Sequence, residues 1–191
     1  MRKTLTFILS FLIFSTVNAQ VKRQFSKVKN SVISQKFHEI VIENKNSKKV
    51  NDCLNYNCTT DPKLSYCDDK SDENYTEFVE LGIIKNSEII VINKITYNED
   101  SYILINQKEC KQIELKGLPL KIENSNRYMV YNNPSTDNPY SIQIVDIENS
   151  MATILDEIIL PKHIIPKRVL RIEKTEIYIL DNNNLVWKAK I

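Results

Sequence analysis

From residue 75 to the C-terminus, short apolar runs alternate with short polar segments. The apolar runs are rich in Ile, Val, Leu and Tyr, which fit a pleated, partly buried strand, and the polar segments carry Asn, Ser, Asp and Pro, which favour turns. Eleven strands are predicted, at about 75–84, 88–97, 101–106, 109–115, 118–124, 127–132, 140–148, 152–160, 167–173, 176–181 and 185–190. So many short strands in succession predict an all-β, antiparallel fold.

The first part of the chain follows a different pattern. Residues 20–36 carry apolar side chains at helical spacing, which predicts a short amphipathic helix. Residues 37–43 indicate a strand. Residues 44–74 are polar, rich in Asn and contain three of the four cysteines, so we expect a long insertion within a single β-domain that spans 20–191.

An internal repeat of 25 residues runs through the second half of the chain. The six residues 120–125 (LKIENS) recur as 145–150 (VDIENS) and as 170–175 (LRIEKT). Each copy predicts a hairpin whose turn holds the Ser or Thr. Because two such hairpins have the size of one four-stranded propeller blade, the sequence predicts an antiparallel meander of repeated, propeller-blade-like hairpins.

The architecture beyond this meander stays open. Without its first 19 residues the chain has 172 residues, room for about three and a half blades, whereas a closed propeller needs four or more. The alternatives are a small irregular ring, a β-barrel, a β-sandwich, or an assembly of several chains.

Composition narrows the classes of function. A content of 42% hydrophobic and 26% charged residues is typical of a globular domain. The chain has two glycines, Gly82 and Gly117, which excludes the glycine-dependent phosphate-binding loops and the nucleophile elbow of α/β-hydrolases. We therefore expect no cofactor.

The N-terminus has the pattern of a secretory signal peptide. Two basic residues precede an apolar run from about Leu5 to Val17, and Ala19 provides the small residue before a cleavage site. The run is shorter than the ~20 residues that a membrane span needs. We expect residues 1–19 to be removed, leaving a periplasmic or secreted protein with no membrane span.

Charge is unevenly distributed in the predicted mature chain. It holds 24 basic and 24 acidic residues, of which 20–51 contain eight basic and two acidic, and 52–80 two basic and eight acidic. We expect these two segments to lie close together or to be solvated separately. A nucleic-acid partner is not expected, because such a surface needs a basic surplus interleaved with aromatic residues.

The cysteines constrain one region. Cys53, Cys58 and Cys67 form a cluster, and Cys110 lies alone. In an oxidising compartment four cysteines predict two disulfides, and each of the three possible connectivities links Cys110 to the cluster. We therefore expect a disulfide-tied insertion at 44–74. The spacing lacks the paired knuckles of a zinc site, so no metal is expected there.

The segment 67–73 (CDDKSDE) resembles the calcium-binding end of an LDL-receptor class A module, which reads C-x-D-G-S-D-E. The resemblance covers seven residues; Lys70 stands in place of the glycine, and the six-cysteine framework of the family is absent. Clustered carboxylates can bind calcium, but the expectation for this chain is a solvated acidic loop.

Residues suited to catalysis are scarce. His38 and His163 have no partners at catalytic or metal-ligand spacing, and disulfides would consume the thiols. Glu123, Glu148 and Glu173 occupy equivalent positions of the repeat, where we expect solvent-facing turns because stacked like charges repel each other. No catalytic, cofactor-binding or metal residue is assigned.

The connection at 132–140 is the longest in the repeat region, and two prolines stiffen it. Rigid loops with flanking tyrosines suit contacts with a protein or a glycan. The predicted binding loop consists of Tyr131, Asn133, Ser135, Thr136, Asp137, Asn138 and Tyr140. Trp187, in the last strand, is expected to lie in the core.

These observations favour an exported, non-catalytic binding or interaction protein that acts through loops on a β-scaffold, with a protein or glycan partner. Two alternatives stay open. One is an envelope hydrolase that uses a carboxylate pair assembled by the fold, and the other is an inhibitor or immunity-type protein directed against a secreted toxin.

Protein exported by its native host should begin at Gln20, because signal peptidase cleaves after a small residue, here Ala19. Intact-mass measurement or N-terminal sequencing checks this, with pyroglutamate as an acceptable form of Gln20. Recovery of the chain from the membrane fraction with Met1 retained would contradict the signal peptide.

Overall fold

The computed structural model describes residues 23–29, 32–43, 48–59, 63–132, 134 and 139–191, and the predicted signal peptide lies outside them. The regular elements are strands: β1 (Phe25–Lys27), β2 (Phe37–Glu39), β3 (Ile42–Glu43), β4 (Cys53–Tyr56), β5 (Leu64–Cys67), β6 (Thr76–Ile84), β7 (Ile89–Thr96), β8 (Asp100–Asn106), β9 (Gln112–Leu115), β10 (Leu120–Ile122), β11 (Arg127–Tyr131), β12 (Ser141–Glu148), β13 (Met151–Ile159), β14 (Pro166–Ile172), β15 (Glu176–Asp181) and β16 (Val186–Lys190). The predicted all-β, antiparallel fold is confirmed, and all eleven strands expected from residue 75 onward are present.

The helix expected within 20–36 is wrong for the residues described there. Phe25–Lys27 form β1, which pairs antiparallel with β16. Phe25 lies opposite Ala189 and packs against the core. A short amphipathic helix is marginal in water by itself, whereas the edge of β16 satisfies the backbone groups of β1 and brings Phe25 onto apolar surface.

Three antiparallel sheets follow one another along the chain. Sheet 1 has the strand order β3-β6-β7-β8-β9, sheet 2 the order β2-β10-β11-β12-β13, and sheet 3 the order β14-β15-β16-β1. β4 and β5 form a separate hairpin. Consecutive strands pair as a meander within each sheet. No sheet formed by the described residues closes on itself, so these residues do not form a β-barrel.

The segment that precedes the hairpin supplies one extra strand to each sheet. β1 extends sheet 3, β2 extends sheet 2 and β3 extends sheet 1. The single strand expected at 37–43 is therefore divided between two sheets. Gly82 makes room for β3: its φ is +130°, and a Cβ at this position would collide with the backbone oxygen of Glu43. The N-terminal segment thus connects all three sheets.

The sheets are stacked, with sheet 2 in the middle. In β12, Ile142 and Ile144 belong to the core cluster shared with sheet 3, whereas Val145 belongs to the cluster shared with sheet 1. The central strands of sheet 2, β11 and β12, bury side chains on both faces, as Met129, Val130, Ile144 and Val145 show. Trp187, 9% exposed, lies in the cluster between sheets 2 and 3, as expected.

Side-chain amides bridge adjacent sheets at the ends of the strands where the turns of the repeat lie. Asn106 donates through Nδ2 to the carbonyl oxygen of Ser150 at 2.7 Å, joining the end of β8 to the β12–β13 turn. Gln35 donates through Nε2 to the carbonyl oxygen of Glu123 at 3.3 Å and accepts from the Ile172 N–H at 3.1 Å. The hairpin turns of adjacent sheets are therefore fixed relative to each other.

At the opposite ends of the strands, the side chain of Asp181 holds the β15–β16 turn through hydrogen bonds. Its buried carboxylate accepts hydrogen bonds from the N–H groups of Asn183 and Leu185 at 2.9 and 2.8 Å, and from Nε1 of Trp187 at 2.8 Å. Burial alone would raise the pKa of Asp181, but these hydrogen bonds and the ammonium of Lys27 hold it below its usual range. The charged carboxylate is thus the form that the folded chain stabilises.

The free energy of unfolding should fall as the pH drops through the range in which carboxylates titrate. The pKa of Asp181 is lowered in the folded state, so its contribution is complete above the unfolded pKa of about 3.9 and is lost below it. Asp181→Asn places an amide donor opposite the Trp187 N–H, and it should cost about 1–3 kcal/mol at pH 7 and flatten the pH dependence.

Urea unfolding between pH 7 and pH 3, followed by Trp187 fluorescence, measures both effects. Glu148→Gln, at the exposed end of β12, is the matched control and should change neither. Equal pH profiles for the native protein and Asp181→Asn would contradict the assigned role.

Candidate binding site

Two disulfides fix the β4–β5 hairpin. Cys53 and Cys67 lie opposite each other at the ends of β4 and β5 and are bonded, with Cα atoms 4.0 Å apart. Cys58 is bonded to Cys110 in the β8–β9 turn. The structure thus selects one of the three connectivities that the spacing allowed, and the expected link between Cys110 and the cluster is present.

The hairpin covers the face of sheet 1 that points away from sheet 2. Leu54, 2% exposed, enters a core cluster with Ile90 and Ile92 of β7 and with Ile103 and Ile105 of β8. This face of sheet 1 is as rich in Ile as a sheet interior, so it needs a cover. The β4–β5 hairpin therefore completes the core of sheet 1.

Aromatic residues extend this packing toward the edge of the hairpin. The ring centroid of Tyr66 lies 6.1 Å from that of Tyr56 and 5.4 Å from that of Phe78 in β6. The Tyr56 hydroxyl donates to Oε2 of Glu80 at 2.5 Å. Burial, and then the carboxylate of Glu80, raise the pKa of Tyr56, so this tyrosine stays a neutral donor at physiological pH.

Residues 20–51, rich in basic side chains, and residues 52–80, rich in acidic ones, meet beside the hairpin, where Nζ of Lys49 lies 2.6 Å from Oδ2 of Asp68. A second ion pair lies within 52–80, where Nζ of Lys70 lies 3.0 Å from Oδ2 of Asp52. Asp68 also accepts the backbone N–H of Phe78 at 2.9 Å. Its carboxylate therefore connects the hairpin to β6. Within the described part of the chain, no group of three His, Cys, Asp or Glu side chains could hold a metal ion.

A groove of about 390 Å³ lies between the hairpin and strands β6 to β9 of sheet 1. This volume lies at the lower end of the range for small-ligand pockets, roughly 300–1,000 Å³. Its lining combines apolar and aromatic side chains with three polar ones: Tyr66, Phe78, Lys94, Ile103, Gln112, Ile113 and Glu114. We call it the hairpin groove.

The polar side chains of the hairpin groove are held in place. Glu114 accepts hydrogen bonds through Oε1 from Ser101 at 2.6 Å and from Lys94 at 3.0 Å. Burial alone would raise the pKa of Glu114, but the Ser101 hydroxyl and the Lys94 ammonium lower it below its usual range. The Tyr66 hydroxyl donates to Gln112, and burial followed by the charge of Glu114 raises the pKa of Tyr66 to about 12.

The groove therefore offers fixed, paired polar groups beside an aromatic ring. At neutral pH Glu114 is an anionic acceptor, Lys94 a cationic donor and Gln112 both donor and acceptor. Tyr66 and Phe78 supply apolar ring surface. Such a lining can orient a ligand that has both hydroxyl groups and an apolar face.

The predicted binding loop is described only at its ends. Tyr131 and Tyr140 are half-buried and pack against the core cluster between sheets 2 and 3. The base of the loop is closed by Asn132, which donates to the carbonyl oxygen of Pro139 at 3.0 Å and accepts from the Ser141 N–H at 2.6 Å. The other predicted loop residues, Asn133, Ser135, Thr136, Asp137 and Asn138, lie outside the described residues.

The remaining candidates of the sequence analysis lie apart from the groove. His38 is exposed in β2 opposite Lys121, and the ring of His163 lies 5.3 Å from that of Trp187. Glu123, Glu148 and Glu173 lie at the ends of β10, β12 and β14, next to the hairpin turns. The structure does not bring either histidine into contact with these glutamates.

Sequence reasoning missed the hairpin groove. Alternation along β9 (QIEL) gives Gln112 and Glu114 one face of the strand, and Lys94 lies on β7. That pattern is visible in the sequence. The missing information was the packing of the β4–β5 hairpin on this face of sheet 1, which joins segments distant in sequence.

Comparisons with protein families, with curated proteins and with solved structures find no match for the chain. Among the residues described, the structure contains no helix of the length and apolar character needed to cross a membrane. The fold and the groove define a disulfide-containing, antiparallel β-protein with a surface groove.

Removal of the disulfides should destabilise the chain to different degrees. The Cys58–Cys110 bond joins residues 52 positions apart and the Cys53–Cys67 bond residues 14 apart. Loop entropy predicts losses of about 4 and about 3 kcal/mol for the corresponding double Ser variants. Non-reducing urea unfolding measures both. Labelling of Cys110 by a thiol reagent in the native protein would contradict this connectivity.

Proposed function

We propose that the chain is an exported, non-catalytic binding protein, and that the hairpin groove is its ligand site. One observation carries this proposal: a disulfide-tied hairpin is locked across a sheet, and a groove with paired polar groups and an aromatic wall lies along its edge. Binding sites that are fixed before the ligand arrives lose less entropy on association.

The scaffold supports this interpretation. Sheets 1 and 2 each contain a four-stranded meander, and β1 completes a fourth strand in sheet 3. We interpret these sheets as three blade-like units, with the 25-residue repeat corresponding to the hairpins β10–β11, β12–β13 and β14–β15. Loops and insertions on such rigid sheets are common positions for recognition.

Export is supported by the cysteines as well as by the N-terminal pattern. The four cysteines of the chain are paired in two disulfides, which is compatible with a periplasmic or extracellular protein, since disulfides persist in oxidising compartments. We propose cleavage of residues 1–19 and release of the mature chain.

A glycan is the ligand class that we propose for the groove. Sugar rings present an apolar face that packs on aromatic rings, and hydroxyl groups that pair with carboxylate, amide and ammonium groups. In the groove, Tyr66 and Phe78 provide the aromatic rings. Glu114, Gln112 and Lys94 provide the carboxylate, amide and ammonium groups.

Screening of the mature protein on an oligosaccharide array, followed by titration calorimetry with the glycan that binds, tests the proposal. Glu114→Gln and Lys94→Ala should each weaken binding about tenfold, because each removes a charge-assisted hydrogen bond of about 1.5 kcal/mol or more. Neither substitution touches the disulfides or the buried Leu54.

Lys108→Ala is the matched control, since Lys108 forms an exposed ion pair with Glu88 outside the groove. It should leave the affinity unchanged. The glycan affinity of a variant with residues 133–139 shortened, measured in the same assay, shows whether the predicted loop or the groove binds the ligand. Turnover of the bound glycan that is lost on one Glu or His substitution would contradict the proposal and favour the hydrolase.

A further inference from the structure

Charge is polarised along the stack of sheets. Residues 52–115, from which the β4–β5 hairpin and most of sheet 1 are built, contain thirteen acidic and six basic residues. Residues 23–29 and 160–191, which contain the strands of sheet 3, hold ten basic and three acidic residues. Sheet 2 separates these regions. The two ends of the stack therefore carry opposite charge.

The face of sheet 3 that points away from sheet 2 is uncovered in the described structure. Tyr178 and Leu180 of β15 and Val186 of β16 form its apolar centre; they are half-exposed and belong to none of the three core clusters. The corresponding outer face of sheet 1 is covered by the β4–β5 hairpin, and the centre of sheet 2 is buried on both sides.

Basic side chains surround this apolar centre. Arg171 lies opposite Tyr178, and Arg168 lies opposite Leu180. On the other side of β15, Lys188 lies opposite Tyr178 and Lys190 opposite Glu176. Arg171 and Lys188 form ion pairs with Glu173 and Glu176. Arg168 and Lys190 form no ion pair with a described residue, so this face carries a surplus of positive charge.

The complementary surface lies at the far end of the same chain. Asp69, Asp72 and Glu73 follow the β4–β5 hairpin and are exposed. Asp72 and Glu73 form no ion pair with a described residue, whereas the neighbouring Lys70 is paired with Asp52. We call residues 68–73 the acidic segment.

We propose that the basic outer face of sheet 3 binds the acidic segment of a second copy of this chain, in a head-to-tail arrangement. The chain carries both halves of the complementary pair, at opposite ends of the stack, so the surfaces cannot satisfy each other within one molecule. A partner copy would cover Tyr178, Leu180 and Val186. Opposite charge on the two surfaces steers their encounter and fixes their orientation.

This contact is heterologous, because it joins two different surfaces of the same chain. Such contacts continue from copy to copy until rotation closes a ring, or they form an open filament. Three blade-like sheets per chain are too few for a closed propeller, and head-to-tail addition would continue the stack with the sheets of the next copy. The proposal uses different side chains from the hairpin groove and does not depend on its ligand.

Two charge-reversal variants of the mature chain test the arrangement. The face variant is Arg168→Glu with Lys190→Glu, and the acidic-segment variant is Asp72→Lys with Glu73→Lys. All four positions are exposed, so the fold should be retained. The native protein should show a weight-average mass that rises with concentration in sedimentation velocity at about 0.02 M salt and falls toward the monomer at about 0.5 M.

Each variant alone should associate at least about tenfold more weakly than the native chain. An equimolar mixture should form a one-to-one complex and grow no further, because it contains one intact face and one intact acidic segment per pair. Lys108→Glu with Lys111→Glu is the matched control: it makes the same change of charge on the β8–β9 turn and should leave association unchanged.

Three results would overturn the proposal. The native chain could remain monomeric at low salt and about 100 µM. The two variants could fail to combine on mixing, which would exclude the head-to-tail pairing. Finally, the basic face could bind dextran sulfate in a manner lost in the face variant while the native chain stays monomeric, which would assign this face to an anionic polymer.

Discussion

The burial of both faces at the centre of sheet 2 is the constraint on which the rest of the structure depends. Its side chains alternate between two apolar clusters, as Ile144 and the adjacent Val145 do. Sheets 1 and 3 are therefore required to cover the two faces of sheet 2. Each of these sheets has a second face, which points away from sheet 2. The hairpin covers that face on sheet 1, so its packing is essential to the core. On sheet 3 no described element covers the equivalent face. The stack therefore ends in a covered face at sheet 1 and in an uncovered face at sheet 3.

Polar groups determine how precisely the stacked sheets are aligned. Apolar packing alone tolerates small displacements, whereas a buried hydrogen bond needs defined geometry. Asn106, Asn132 and Asp181 are each less than 9% exposed and each lies at or just after the end of a strand. Their side chains bind backbone groups of the following turn or of the next sheet. This placement keeps the turns in register, while the buried positions of the strands between them are mainly apolar.

The sequence predicts local structure well and distant pairing poorly. Strands from β6 onward follow from period-2 alternation and from Asn-rich turns, because both signals lie within about ten residues. The local pattern around Phe25 predicts a helix, because its pairing partner, Ala189, is more than 160 residues away in the sequence. Similarly, the division of 37–43 between two sheets depends on strands that come much later. Prediction of the hairpin groove would have required the packing of the β4–β5 hairpin on sheet 1 and the Cys58–Cys110 pairing. The spacing of the cysteines alone allows three connectivities.

The N-terminal segment has a consequence for the order in which the chain folds. β3, β2 and β1 pair with β6, β10 and β16, so the sequence distance to the partner increases toward the N-terminus. β1 is synthesised well before its partner β16. Sheet 3 can therefore be completed only after residues 186–190 have been made, and the long loop closure that it requires slows folding. The segment that joins the three sheets is thus synthesised before all of its partners, and β1 waits longest for its own.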